Sequence, residues 1–197
     1  MLKDVLKPFN IILASGSPRR QSFLSAMNIP YEIRLKPIKE VYPEHLVGEE
    51  ITDYLSQLKA EPFIKELSRN DLLITSDTIV WLDGKAIGKP VDANHAFEMI
   101  KSLSAKTHEV ITSICFTQNH QQKLVNTRTK VTFRELTDLE IQHYIEHYKP
   151  FDKAGAYGIQ EWIGAIAITK IEGSYNNVVG LPTHLLYETL NTIAKDI

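Results

Sequence analysis

Apolar positions follow two rhythms along the chain. Unbroken or alternating runs of strand length come first. Ile11 to Ala14 and Leu72 to Thr75 are short buried strands, and Tyr31, Ile33 and Leu35 alternate with polar neighbours as one face of another. Ile79 to Leu82 continues as a strand into Asp83-Gly84, a hairpin signal, with Ala86 to Pro90 as the return. Glu109 to Thr117 and Lys123 to Phe133 predict two long strands joined as a hairpin at Gln118 to Gln122, and Trp162 to Ile171 predicts a further buried strand. The second rhythm is helical. Phe23, Leu24 and Met27 share one face of a helix over Pro18 to Met27, closed by Asn28 and Pro30. Ile51, Tyr54, Leu55 and Leu58 mark the next, which Pro62 kinks or restarts. Asp92 caps a helix with Ala96, Phe97, Met99, Ile100 and Leu103 inward. Thr137-Asp138-Leu139-Glu140 is a capping box, Leu136 and Ile141 its hydrophobic staple, and that helix stops before Pro150. A last helix starts near Pro182 with Leu185, Leu186, Leu190 and Ile193 inward. Lys36 to Gly48, Asp152 to Gln160 and Gly173 to Gly180 are left as loops. Long hairpins interrupt the strand–helix–strand units, so the pattern predicts an α/β fold with a mixed sheet. No linker breaks the chain, which is expected to be one domain over residues 1–197, as one body or as two lobes. With two lobes, the second holds the long hairpin and the capped helix.

Composition narrows the class without naming a chemistry. At 197 residues, 43% hydrophobic and 23% charged, the chain is an ordinary globular protein able to bury a sizeable core. A net charge of -2 offers no broad attraction to nucleic acid or membrane, so any anion site must be local. The single cysteine, Cys115, excludes an intrachain disulfide and reads as a buried structural thiol, consistent with a reducing compartment. No apolar run approaches the roughly 18 residues of a membrane span, and the N-terminus does not resemble a signal peptide, so a cytoplasmic location is expected.

Chemistry concentrates first at the end of the opening strand. Ser15-Gly16-Ser17 leads into Pro18, with Ser17 a preferred N-cap residue and Pro18 suited to the first helical position. Free backbone N–H groups and the positive end of a helix dipole converge on that turn. Arg19 and Arg20 in the same first turn oppose the dipole, an arrangement that an anion would relieve. The turn therefore reads as a phosphate-binding element; the alternative is an ordinary turn with two solvated arginines. Asp77 and Thr78 follow a buried strand, and a carboxylate there can hold a hard divalent cation or take a proton from water. Its alternative is an Asp bonded to a local turn. Glu40, Lys59 and Lys89 are individually weak signals, each readable as a surface charge.

Negative findings help. Gly88-Lys89-Pro90 lacks the P-loop spacing, and neither a G-x-G-x-x-G nor a G-x-S-x-G pattern occurs. His143 and His147 share a helix face at metal-ligand spacing but have no evident third ligand, which favours a solvated pair.

Five stretches in order resemble the Maf family of nucleoside triphosphate pyrophosphatases. They are Leu13 to Arg20, Ser76 to Val80, Gly88 to Pro90, Asp152 to Gln160 and Gly173 to Pro182, and they cover nearly the whole chain. The resemblance implies an elongated, twisted mixed sheet flanked by helices, with two lobes around a central cleft, as in inosine triphosphatase-like proteins. It also implies Mg²⁺- or Mn²⁺-dependent cleavage of a nucleoside triphosphate to the monophosphate and pyrophosphate, and a possible homodimer. Asp77 matches the proton acceptor, while Arg19, Thr78 and Gln160 match positions associated with base specificity. The Ser-Pro-Arg-Arg and Gly-Ile-Gln forms resemble the branch acting on dTTP and UTP. Three departures stand out: Leu58 replaces a usual glutamate, Ala105 a usual glycine, and Glu161 follows Gln160 where glycine is common. The last two read as packing or loop adjustments.

These readings combine into one expected mechanism. Ser15, Gly16, Ser17 and Arg20 hold the triphosphate, with Lys59 and Lys89 neutralising charge. Asp77 and Glu40 bind the metal, and Asp77 orients or deprotonates the water attacking the α-phosphorus. The amide of Gln160 matches the O4 and N3–H edge of uracil or thymine. The rival readings are a catalytically silent nucleotide-binding regulator of cell division and a phosphatase of broader range.

Overall fold

The structure, a computed structural model, describes residues 2–195 of the chain. A short helix α1 (Leu2–Val5) precedes strand β1 (Asn10–Leu13), helix α2 (Pro18–Ala26) and the two-residue strand β2 (Glu32–Ile33). Helix α3 (Glu49–Ala60) passes into a 3-10 segment (Glu61–Glu66), and the long strand β3 (Asp71–Leu82) turns into β4 (Lys85–Ile87). Helix α4 (Ala93–Leu103), strands β5 (Thr107–Gln118) and β6 (Gln121–Phe133) and helix α5 (Asp138–Tyr148) come next. A 3-10 turn (Ala154–Ala156), α6 (Trp162–Ala167), β7 (Ile168–Glu172), α7 (Tyr175–Val179) and α8 (Thr183–Ile193) complete the order. The strands hydrogen-bond in the order β2-β1-β3-β5-β6-β7, with β4 on β3. β1 runs parallel to β2 and β3, whereas β4 and β7 pair antiparallel with β3 and β6. The sheet is mixed, as the hairpins imply.

The chain forms two compact units. The first comprises Met1–Asp77, Thr112–Thr127 and Gly180–Ile197, the second Thr78–Ile111 and Arg128–Val179. In the first, β1 and β3 are buried on both faces. Ile11, Leu13, Leu72 and Ile74 pack with Leu24 of α2 and with Leu186 and Leu190 of α8. Ile12 and Leu73, pointing the other way, pack with Ala60 and Phe63. This two-sided burial explains why both strands read as continuous apolar runs rather than alternating ones. The second unit packs Ala96, Ile100 and Leu103 of α4 and Ile141, Tyr144 and Ile145 of α5 around Val131 and Phe133.

Most local signals act as expected. Asp92 accepts the His95 N–H at 2.8 Å, and Thr137 and Glu140 form the reciprocal capping box. Pro62 sits at the switch from α3 to the 3-10 segment. Asp83-Gly84 and Asn119-His120 both take positive φ at two successive residues, the geometry that two-residue hairpins need. Cys115 is fully buried.

Four expectations are corrected. Leu72 to Thr75 and Ile79 to Leu82 are one strand, so Asp77 lies within β3 and not at a strand end. The ladder uses only backbone groups, and two of the buried polar side chains in it find partners: Thr75 Oγ1 donates to Ser56 O at 2.7 Å, and Asp77 accepts from Lys59, whereas the buried Ser76 hydroxyl makes no hydrogen bond among the described residues. Trp162 to Ala167 is helical, with Ile163 and Ala167 buried one turn apart, and only Ile168–Glu172 is strand. Gly164 permits that helix, because a Cβ there would lie 1.9 Å from the Ile159 carbonyl oxygen. Tyr175–Val179 is a short helix inside the expected Gly173–Gly180 loop. Finally, only Glu32–Ile33 of the Tyr31–Leu35 run is strand, and Ile33 and Leu35 are exposed.

Candidate active site

The opening turn is fixed by both ends. Ala14 donates its N–H to Ile74 O at 3.0 Å, and Pro18 takes the first position of α2. Ser17 is extended, as a cap should be, but its side chain makes no capping bond. The Ser15 hydroxyl instead accepts the Ser17 N–H at 3.3 Å, and Ser15 O accepts from Gln21 at 3.1 Å. Ser15 is buried, Ser17 half-buried and Gly16 exposed, so the turn offers main chain at its surface.

The two arginines separate in role. Arg20 donates through Nε to Gly180 O at 2.9 Å and through Nη1 to Ser76 O at 2.7 Å, bracing the turn against β3 and the segment before α8. Burial and the Arg19 charge push its pKa below the usual arginine value, while the Asp77 and Glu40 carboxylates push it up. Burial is the largest of these effects. This bracing was not legible in the sequence, since nothing in Ser-Pro-Arg-Arg announces a main-chain carbonyl as partner.

Lys59 and Asp77 meet directly. Lys59, in the last turn of α3, donates to Asp77 Oδ1 at 2.6 Å and stands 3.1 Å from Glu40 Oε2. Asp77 is 6% exposed, Lys59 half-buried and Glu40 exposed in the Lys36–Gly48 loop. Two carboxylates therefore converge on one cation. The turn, Glu40, Lys59 and Asp77 all belong to the first unit. Among the described residues no three His, Cys, Asp or Glu side chains are grouped to hold a metal. Two carboxylates sharing a cation do fit Mg²⁺, which keeps several waters and relies on substrate phosphates for the rest of its shell. His143 and His147 stack on each other at 4.2 Å, with His143 against Trp162.

Thr78, Lys89 and Gln160 belong to the second unit. Thr78 is half-buried and points to the opposite face of β3 from its neighbour Asp77. Lys89 and Gln160 are exposed. The main chain beside Lys89 is tied to the loop leading to Gln160, because Gly155 donates its N–H to Gly88 O at 2.9 Å. Gly155 has φ +68° and a Cβ would meet Val80 at 2.8 Å, so no other residue fits.

Comparison with known proteins now places the chain. The Maf-like protein family matches residues 10–193. The chain belongs to that family. Curated relatives span it almost end to end. A dTTP/UTP pyrophosphatase of Flavobacterium johnsoniae is 58% identical over 98% of this chain and 100% of its own. One of Christiangramia forsetii, with the same name, is 60% identical over 96% and 97%. Among solved structures, the Staphylococcus aureus Ham1 protein shares 15% identity with a TM-score of 0.53, covering 93% of this chain and 99% of its own. A HAM1 protein from Coxiella burnetii shares 12% with a TM-score of 0.54, over 93% and 99%. At those identities the Ham1 likeness concerns the fold alone.

Proposed function

We propose that this Maf-like protein hydrolyses dTTP and UTP to the monophosphate and pyrophosphate. The reading is carried by the end-to-end match to relatives bearing that name, at 58 and 60% identity. The geometry supports a role for each residue of the first unit. The Ser15-Gly16-Ser17 turn at the start of α2, exposed at Gly16, is assigned to hold phosphate oxygens through its main chain. Arg20 holds that turn in place, and Arg19 supplies positive charge beside it. Lys59 neutralises phosphate charge once the substrate draws it from the two carboxylates. Asp77 orients the attacking water and accepts its proton as the new bond to the α-phosphorus forms and the bond to the bridging oxygen breaks. Pyrophosphate leaves with that oxygen. Asp77 and Glu40 would together hold Mg²⁺ or Mn²⁺, which when bound neutralises charge on the triphosphate. In the second unit, Lys89 is assigned to phosphate, and Thr78 and Gln160, with Arg19, to base selection.

Asp77→Asn tests the central role. Loss of a positioned base lowers turnover by on the order of 10²–10⁴, so pyrophosphate release from UTP with Mg²⁺ should fall into that range. The variant should keep the circular dichroism spectrum of the unaltered protein. A folded variant with undiminished turnover would remove Asp77 from the reaction. Orthophosphate as the first product would replace the reading with a phosphatase.

A further inference from the structure

The loop that presents Gln160 is clamped by charged and phenolic groups that the reaction does not use. Lys153 is only 8% exposed, yet its ammonium lies 3.1 Å from Glu161 Oε1 and 2.7 Å from Asp152 Oδ1. The ion pair with Glu161 ties the second residue of the Asp152 to Gln160 loop to the residue that follows it. The other Glu161 oxygen accepts from the hydroxyl of Tyr144, a buried residue of α5. The same hydroxyl oxygen accepts the Gly158 N–H at 3.0 Å. Tyr144 thus grips the backbone two residues before Gln160 and the side chain one residue after it. Burial, and next the Glu161 carboxylate, push the phenol pKa far above its ordinary value, so it remains a donor.

The main chain is equally constrained. Glu161 O accepts the Gly164 N–H at 3.0 Å and the Ala165 N–H at 3.3 Å, seating Glu161 at the N-terminus of α6. Gly155 and Ala156 both take left-handed φ, +68° and +58°. For alanine that conformation costs about 1–2 kcal/mol and persists only where the surroundings enforce it. A Cβ on Gly158 would meet Glu161 Cδ at 2.9 Å and Lys153 Cε at 3.1 Å. A buried ion pair is a poor means of raising stability, since desolvation offsets most of its attraction. Holding one geometry is what such a pair does well.

We propose that Glu161, braced by Tyr144 and Lys153, is a positioning residue that fixes Gln160 to select uracil and thymine over cytosine. This rests on the assignment of Gln160 to base selection. An amide rejects the wrong base only if its donor and acceptor are held against the base edge, because only then is a mismatched group left unpaired. Releasing the clamp should therefore cost selectivity more than chemistry. Asp77 and Lys59, which act on phosphate, are outside the loop.

The test uses Tyr144→Phe, Glu161→Gln and Gln160→Ala in the full chain, with kcat and KM measured for UTP and for CTP, whose 4-amino group replaces O4. Tyr144→Phe and Glu161→Gln should lower the UTP-over-CTP ratio of kcat/KM by about ten- to a hundredfold. The loss should lie mainly in the KM for UTP, with kcat changed by less than about threefold. Glu161→Gln, which can still accept from Tyr144, should lose less than Tyr144→Phe. An equal fall for both nucleotides, or an unchanged ratio, would show that the clamp serves the fold only and would overturn the proposal. If Gln160→Ala leaves the ratio intact, Gln160 does not select the base and the proposal falls with it. If Gln160→Ala collapses the ratio and the other two do not, the positioning role alone is wrong. Should Glu161→Gln fail to fold, Tyr144→Phe, which removes one oxygen, still decides the matter.

Discussion

His108 is 1% exposed between Phe133 and Tyr157, and its Nε2 lies 2.7 Å from the Tyr157 hydroxyl. Burial holds its pKa at about 4, against 6.5 for a free imidazole. The sign follows from the protons bound. Between these values the unfolded chain takes up a proton that the folded chain refuses, so stability falls as pH drops from 6.5 towards 4 and is fully present above 6.5. A shift of this size corresponds to about 3 kcal/mol at most. His108→Gln, which cannot titrate, should flatten that part of the pH dependence. The check is the urea midpoint of both proteins at pH 7.0, 5.5 and 4.5. Equal slopes would mean that His108 is protonated without opening its site. At this scale the sequence was readable wherever a residue's partner lies close along the chain, as for Asp92, which accepts the His95 N–H. It was silent wherever a residue acts through main-chain partners far along the chain, as Arg20 does with Ser76 and Gly180. The Glu161 substitution was visible, but its partner Tyr144 lies on another helix, so it read as a loop adjustment.

Helix α5 shows the same contrast among elements. Its start is written locally: Thr137 Oγ1 accepts the Glu140 N–H at 3.3 Å, and Glu140 accepts the Thr137 N–H at 2.8 Å. Arg134 adds an ion pair at 2.7 Å, and its hydrogen bond, followed by that of the Thr137 main chain, holds the Glu140 pKa at about 2. Such a signal spans only a few residues, which is why the capping box and the Asp83-Gly84 hairpin could be read in advance; the second hairpin was expected over Gln118 to Gln122, and its two-residue turn at Asn119-His120 was not. Trp162–Ala167 could not, because its helical state depends on Gly164 passing the Ile159 carbonyl. An apolar run of that length suits a strand equally well. Thr137→Ala removes one half of the capping box and should lower stability by about 1 kcal/mol. Thermal unfolding monitored at 222 nm gives the change directly. A shift within error would mean that Arg134 and Glu140 hold the helix start without the threonine.

For the whole molecule, the decisive feature is that three strands belong to both units. β3 leaves the first unit after Asp77, β5 enters it at Thr112, and β6 leaves it after Thr127. Sequence reading left one body or two lobes open and did not foresee this division, because nothing in Thr75 to Ile79 marks a boundary and strand β3 runs through it. A boundary in a loop lets one body unfold alone, whereas one inside paired strands does not. Melting either end of β3, β5 or β6 frays the register of the other, and unpaired buried backbone groups are costly. The two units should therefore unfold together. The tryptophans supply a selective probe, since Trp81 and Trp162 both lie in the second unit. Circular dichroism at 222 nm, in contrast, reports helices of both, including α2, α3 and α8 of the first. Urea titrations followed by the two signals should superimpose, with one midpoint and one slope. Fluorescence changing before or after ellipticity would show that the units open separately, and that the continuous strands do not couple them.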